Sequence, residues 1–181
     1  MKIILAVTGA SGVVLAGKLV KALKEHEIHL IVSEGAKKVA SAEKTPLTWR
    51  EYARETYDDK NLSAVVSSSS FLVDAMIICP CSMKTLSAVA NGYARNLVAR
   101  CADNMLKMRK PLILVPRETP LSLPNLENMV KSSKAGATII PPVLSYYHLP
   151  KSLDDAGDFV AGKILDVLGV ENNLYARWKG K

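Results

Sequence analysis

Apolar residues fall into short unbroken runs separated by amphipathic stretches. Ile3-Ile4-Leu5-Ala6-Val7, Ala75-Met76-Ile77-Ile78-Cys79 and Leu112-Ile113-Leu114-Val115 have no polar face. Such runs predict strands covered on both sides in a parallel sheet. Ile28 to Val32 and Ala137 to Ile140 are shorter versions of the same pattern. Between the runs, apolar positions recur at helical spacing: Val13, Val14, Leu19, Val20 and Leu23 in a helix from Val13 to Glu25, and Leu97, Val98, Cys101, Met105 and Met108 between Asn96 and Met108. Further helices are predicted from about Gly35 to Glu43, through Ala90 after Thr85, from Leu126 to Lys134, and from Ser152 to Leu168 with Gly169 at C′. Pro46 to Tyr57 also reads as a helix, with Thr48 as N-cap and Glu51 as its capping-box partner. Asp58 to Asn61 is a turn and Ser67 to Ser70 a polar loop. The alternation predicts one α/β domain over residues 1–181, an open, doubly wound, mostly parallel sheet with helices on both faces.

Ligands of such sheets lie beyond the carboxyl ends of the strands. Two strand-turn-helix junctions there carry small and polar residues. In the first, Thr8-Gly9-Ala10-Ser11-Gly12 turns into a helix whose free N–H groups and dipole suit a phosphate, as expected for a mononucleotide or dinucleotide. Ser11 offers a hydroxyl to a phosphate or flavin edge, or caps the helix. In the second, Ser82-Met83-Lys84-Thr85 forms a similar cradle. Ser33 ends the second strand, with Glu34 spaced as a dinucleotide's ribose-binding acid would be. Against a dinucleotide, Gly9-x-x-Gly12-x-x-x-x-Gly17 departs from the G-x-G-x-x-G spacing. Arg117-Glu118 sets a cation able to grip an anion beside a carboxyl able to move a proton, unless the two form a structural ion pair. Arg100 and Lys107 either face one anion from a shared helix or belong to a solvated face. Tyr147-x-x-x-Lys151 mimics a reductase pair, but Pro150 interrupts the helix it needs.

Composition narrows the partners. The net charge of +7 admits nucleic acid or an anionic small substrate; the basic residues are scattered and aromatics are only 6%, without the basic-aromatic interleaving that stacks bases, so phosphorylated ligands are favoured. No apolar run is long enough to cross a bilayer, and the chain enters a strand at once, so neither membrane nor secretion is expected and the predicted compartment is the cytoplasm. Cys79, Cys81 and Cys101 read as small buried residues; a C-x-C pair without further ligands predicts no metal site.

Taken together, Thr8 to Gly12, Cys79 to Ser87, Asn96-Leu97 with Arg100 to Asp103, Pro111 to Glu118, Leu126 to Met129 and Tyr147-His148 resemble the UbiX-type flavin prenyltransferases over nearly the whole chain. The resemblance implies a flavodoxin-like Rossmann sheet and a homo-oligomer, a dodecamer, with FMN at subunit interfaces. It also implies transfer of a dimethylallyl group from dimethylallyl phosphate to reduced FMN without a metal. The product, prenylated FMN, would go to a separate UbiD-type decarboxylase. By the same resemblance Gly9, Ala10, Ser11, Ser33, Ser82, Met83, Lys84, Thr85 and Arg117 contact FMN. Arg100, Lys107, Glu118, Tyr147, Lys163 and Trp178 surround the prenyl phosphate. Ser11 and Glu118 handle protons, and Glu43 reaches the site from a neighbouring subunit. Lys163 stands where some members carry Arg, and Leu62 to Val66 lacks an aromatic that others have. The tail, residues 170–181, is expected at a subunit interface. Rival readings are a flavin-dependent cysteine decarboxylase, which would need a His in the helix after the second strand, and an FMN-binding module without chemistry.

Overall fold

The computed structural model describes residues 1–180. Six parallel strands form one sheet: β1 (Lys2–Val7), β2 (Glu27–Val32), β3 (Glu55–Asp58), β4 (Ala75–Cys81), β5 (Leu112–Pro116) and β6 (Thr138–Ile139), in the order β3-β2-β1-β4-β5-β6. Pairing is in register from Lys2↔Glu27 to Val7↔Val32 and from Ile3↔Ala75 to Ala6↔Ile78. Alternate residues of each apolar run enter opposite cores. Ile3, Leu5 and Val7 pack under α1 (Val13–Ala22), α2 (Glu34–Ala42) and α6 (Leu153–Leu168). Ile4 and Ala6 pack under α3 (Met83–Ala90) and α4 (Leu97–Lys107), with α5 (Leu123–Lys134) adding Met129. Burial on both faces is why these strands carry no polar side.

The stretch from Pro46 to Tyr57 corrects the helix expected there. Only a 3₁₀ segment, Thr48–Tyr52, forms, and its N-cap position is Leu47, without a side-chain cap bond. Trp49 packs into the core, and the chain then extends into edge strand β3, paired His29↔Glu55 to Val32↔Asp58. Elsewhere the helices expected from Asn96 and Ser152 start there, and the structure shows why: Asn96 Oδ1 accepts from the Ala99 N–H at 3.0 Å, and Ser152 forms a capping box with Asp155. Gly169 closes α6 at φ 72°. Among the described residues, no helix is long and apolar enough to cross a membrane.

Candidate active site

The strand order reverses between β1 and β4, which start connections running to opposite sides of the sheet. Such a reversal leaves a crevice beyond the carboxyl ends of the strands, the place where these sheets bind ligands. Both cradles flank it. After β1, a Cβ on Gly9 would lie 3.0 Å from the Gly35 Cα, so only glycine lets the first turn touch the start of α2. Ser33 caps that helix, accepting from the Ala36 N–H at 3.1 Å. After β4, Ser82 caps α3: its Oγ accepts from the Thr85 N–H at 3.4 Å and lies 3.1 Å from Thr85 Oγ1. Lys84 is exposed in the first turn of α3 beside half-buried Met83. A cavity of about 820 Å³ borders this turn, lined by Lys84 and Thr85 together with Lys60, Tyr93 and Arg95.

The first turn is not the phosphate seat its sequence suggested. Gly12, at φ 96°, is the N-cap of α1 and Ser11 is not, which leaves the half-buried Ser11 hydroxyl for other work. The N–H groups of Gly12 and Val13 instead donate to Glu43 Oε1 and Oε2, at 2.9 and 3.2 Å. Glu43 therefore sits beside the first turn of its own chain, where a neighbouring subunit had been expected to supply it. Its carboxylate takes the place an anion would occupy at a helix N-terminus. Asp59 treats α4 in the same way, accepting from the Val98 N–H at 3.1 Å and from Asn96 Nδ2 at 2.7 Å. With α1 and α4 already served by carboxylates, the serine-capped N-termini of α2 and α3 remain; α2 carries Glu34 in its first turn, whereas α3 is flanked by Lys84 and so suits a phosphate better.

Thr8 and Asp59 escaped the sequence reading. Thr8 is 2% exposed; its Oγ1 donates to the Pro80 carbonyl and accepts from the Ser82 N–H, both at 2.8 Å. Its partners lie more than seventy residues along the chain, so only its place before Gly9 could have drawn attention to it.

At the end of β5, Arg117 Nε is buried with no hydrogen-bond partner among the described residues. Glu118 is exposed, and its Oε1 accepts from the Thr119 N–H at 2.9 Å, so the carboxylate is not spent on Arg117. Burial pushes the Cys81 and Cys101 thiols up to about 12 and Cys79 higher still, which keeps all three un-ionised packing residues.

The remaining site residues lie elsewhere on the chain. Arg100 and Lys107 share Asp103, each at 3.7 Å, and the half-buried Arg100 also donates from Nε to the Ser67 carbonyl at 3.2 Å, whereas Lys107 lies on the solvated face of α4. Lys107 ends that helix a short turn before β5 begins, at the amino edge of the sheet, whereas Ser82 lies past the carboxyl edge. The strand between those edges spans roughly 20 Å. Tyr147 and Trp178 meet edge to face at 5.8 Å, and Lys163 lies 5.9 Å from the Tyr175 ring. The tail folds back on α6, where Asp166 accepts from Tyr175 and Arg177 at 2.6 and 2.7 Å, leaving Trp178 exposed. His148 stacks on Phe159 with centroids 4.8 Å apart. One chain thus brings together Gly9, Ala10, Ser11, Ser33, Glu43, Ser82 to Thr85, Arg117 and Glu118 around the crevice. It does not bring Lys107 there. Neither His26 nor His29 lies in the helix after β2: His26 bonds the N-terminal amine at 3.2 Å and His29 is buried within β2, so the cysteine-decarboxylase histidine is missing.

Comparison with known proteins places this geometry. Residues 1–167 match the Flavoprotein family. The flavin prenyltransferase UbiX of Methanothermobacter thermautotrophicus is 47% identical, over 99% of this chain and 96% of that protein. Two solved structures superpose with a TM-score of 0.96. One is a dodecameric FMN-dependent UbiX-like decarboxylase from Escherichia coli O157:H7, 41% identical, covering 99% of this chain and 100% of that one. The other is AnUbiX (PadA1) in complex with FMN and dimethylallyl pyrophosphate, 40% identical, covering 99% and 98%. With a family match across most of its length and such relatives end to end, the chain belongs to the flavoprotein family, within its UbiX group.

Proposed function

We propose that this chain joins the dimethylallyl group of dimethylallyl phosphate to reduced FMN, releasing phosphate and yielding prenylated FMN for a UbiD-type decarboxylase. The observation that carries the reading is the crevice itself: a glycine-tight first turn, a serine-capped helix N-terminus and a buried, unpartnered Arg117 Nε converge on it. These residues fit FMN. The N–H groups at the start of α3, with Ser82, Thr85 and Lys84, would hold its phosphate, and Arg117 Nε–H would donate to an acceptor on its ring system. Bound FMN, when reduced, supplies the nucleophile for alkyl transfer.

The other side chains divide the remaining work. Ser11, free of capping duty, can relay a proton at the first turn, and Glu43 holds that turn in place through Gly12 and Val13. Glu118 can deliver a proton to the departing phosphate. Arg100 and Lys107 would neutralise that phosphate from a neighbouring copy, releasing Asp103 to do so. Tyr147 and Trp178 would close the apolar wall that keeps water from the allylic group, and Lys163 would add its charge beside the phosphate. This division calls for a homo-oligomer, and the reading takes it to be a dodecamer working in the cytoplasm.

Anaerobic incubation with reduced FMN and dimethylallyl phosphate tests the proposal. Phosphate should appear, and the flavin's mass should rise by one prenyl unit. Absence of both refutes it. The same flavin should activate an apo UbiD-type decarboxylase. Glu118→Gln should retain FMN and slow transfer; full activity would remove Glu118 from its role.

A further inference from the structure

The two halves of the crevice meet where β1 and β4 end. The ladder between β1 and β4 runs only to Ala6↔Ile78. On its other side, β4 pairs Ile78↔Leu114 and then Cys81↔Pro116, so Cys79 and Pro80 stand opposite the single residue Val115. That is a bulge in a central strand, the place where a proline without an N–H is tolerated and where a strand is re-aimed. Past the bulge β4 regains one pair with β5, Cys81↔Pro116, with the Arg117 N–H donating to the Cys81 carbonyl at 3.3 Å, but the β1 ladder does not resume on the side that faces the first turn.

Thr8 takes over. Its backbone N–H donates to the Pro80 carbonyl at 3.2 Å, its hydroxyl donates to the same carbonyl at 2.8 Å, and the hydroxyl oxygen accepts from the Ser82 N–H at 2.8 Å. Thr8 is the residue before the Gly9 turn, and Ser82 is the cap of α3. A single buried hydroxyl, with both its donor and its acceptor capacity in use, ties the turn that carries Ser11 to the helix end that would hold a phosphate.

We infer that Thr8 is a positioning residue for prenyl transfer, setting the distance between the Ser11 turn and the α3 phosphate seat. The inference rests on the reaction proposed above. Valine in its place keeps the shape but leaves the Ser82 N–H unpaired, freeing the start of α3 to shift relative to the turn. Displacements near 1 Å can lower rates about 100-fold.

The test compares Thr8→Val with Thr8→Ser, which preserves the hydroxyl. Three readouts are taken: the transfer rate at saturating FMN and dimethylallyl phosphate, the FMN dissociation constant, and amide hydrogen exchange of a peptide spanning Cys81 to Leu86 in FMN-free protein. Thr8→Val should lower the saturated rate about 10- to 100-fold, more than it weakens FMN binding, and should speed exchange at Ser82. Thr8→Ser should restore all three readouts. A Thr8→Val rate within about threefold of wild type overturns the inference, as does a Thr8→Ser enzyme as slow as Thr8→Val. If Thr8→Val does not fold, Thr8→Cys, with its weaker donor, is judged against Thr8→Ser by the same criteria. Wild-type protein that releases no phosphate refutes the prenyl-transfer reading beneath it; active wild type with equally active Thr8→Val refutes the role of Thr8 alone.

Discussion

Replacing Glu43 by alanine tests the corrected picture of the first turn. The carboxylate is the C-cap residue of α2, where the negative end of the helix dipole disfavours it. Its compensation is α1, which has no acidic residue in its first turn and no side-chain cap of its own. Glu43 supplies both through bonds of 2.9 and 3.2 Å. Hydrogen bonds to charged groups contribute about 1.5–3 kcal/mol and lost N-caps cost about 0.5–2 kcal/mol, so about 2 kcal/mol is expected for this half-buried pair. In a chain of 181 residues that lowers the melting temperature by about 4–8 °C. Glu43→Gln, whose amide oxygen can still accept one N–H, should lose about half as much. Thermal melts of FMN-free protein at fixed concentration measure both, and inorganic phosphate provides a second arm. With the carboxylate removed, the α1 N-terminus becomes an anion site, so phosphate should raise the melting temperature of Glu43→Ala more than that of wild type. The α2 dipole alone predicts the opposite sign. A variant as stable as wild type, or more stable, would refute the capping argument.

Ser11→Ala should change stability by less than about 0.5 kcal/mol because Ser11 caps nothing, yet slow transfer; Ser82→Ala should lose about 1 kcal/mol and weaken FMN binding. Melting and flavin titration separate the two. Gly9→Ala drives a Cβ to 3.0 Å from the Gly35 Cα, and should destabilise by about 1–3 kcal/mol and impair FMN binding, as calorimetry would show. Arg177, then Tyr175 and Asn172, hold the Asp166 carboxyl down to about 2 from 3.8. Its folded-state value lies below the unfolded one, so its contribution is complete above the ordinary carboxylate range and is lost as pH falls towards 2. Tail peptides should therefore become pepsin-sensitive across that window, and Asp166→Asn should speed tryptic cleavage at Arg177 at neutral pH.

What the sequence revealed follows the range of the interactions. Continuous apolar runs marked β1, β4 and β5 because burial on both faces leaves a local trace, and Asn96, Ser152 and Gly169 marked helix ends because capping acts over three or four residues. Strand β3 left little trace: in Glu55-Thr56-Tyr57-Asp58 only Tyr57 is buried, and a false capping-box pattern at Thr48 and Glu51 masked it. Ser82 was readable as a cap from its strand-turn-helix setting. The Glu43, Asp59 and Thr8 bonds were not, because their partners lie 30 to 74 residues away and only the folded sheet brings them together. Carboxylates that local spacing could not assign therefore occupy the N-termini of α1 and α4.

The placement of Lys107 at the edge of the sheet opposite Ser82 bears on how damage is inherited within an assembled particle. On the proposed division of work, a lesion at Lys107 would leave its own subunit's crevice whole and disable a neighbour's, so defects would not map onto the chains that carry them. Particles co-assembled from Lys107→Ala and Glu118→Gln chains should transfer faster than either parent, since some sites would draw an intact Glu118 from one chain and an intact Lys107 from another. Mixing either variant with wild type should lower activity in proportion to the fraction of shared sites, without a threshold. Selection on this surface would act on pairs of copies, and a gene carrying one such lesion could be rescued in trans by a second gene damaged at the other end.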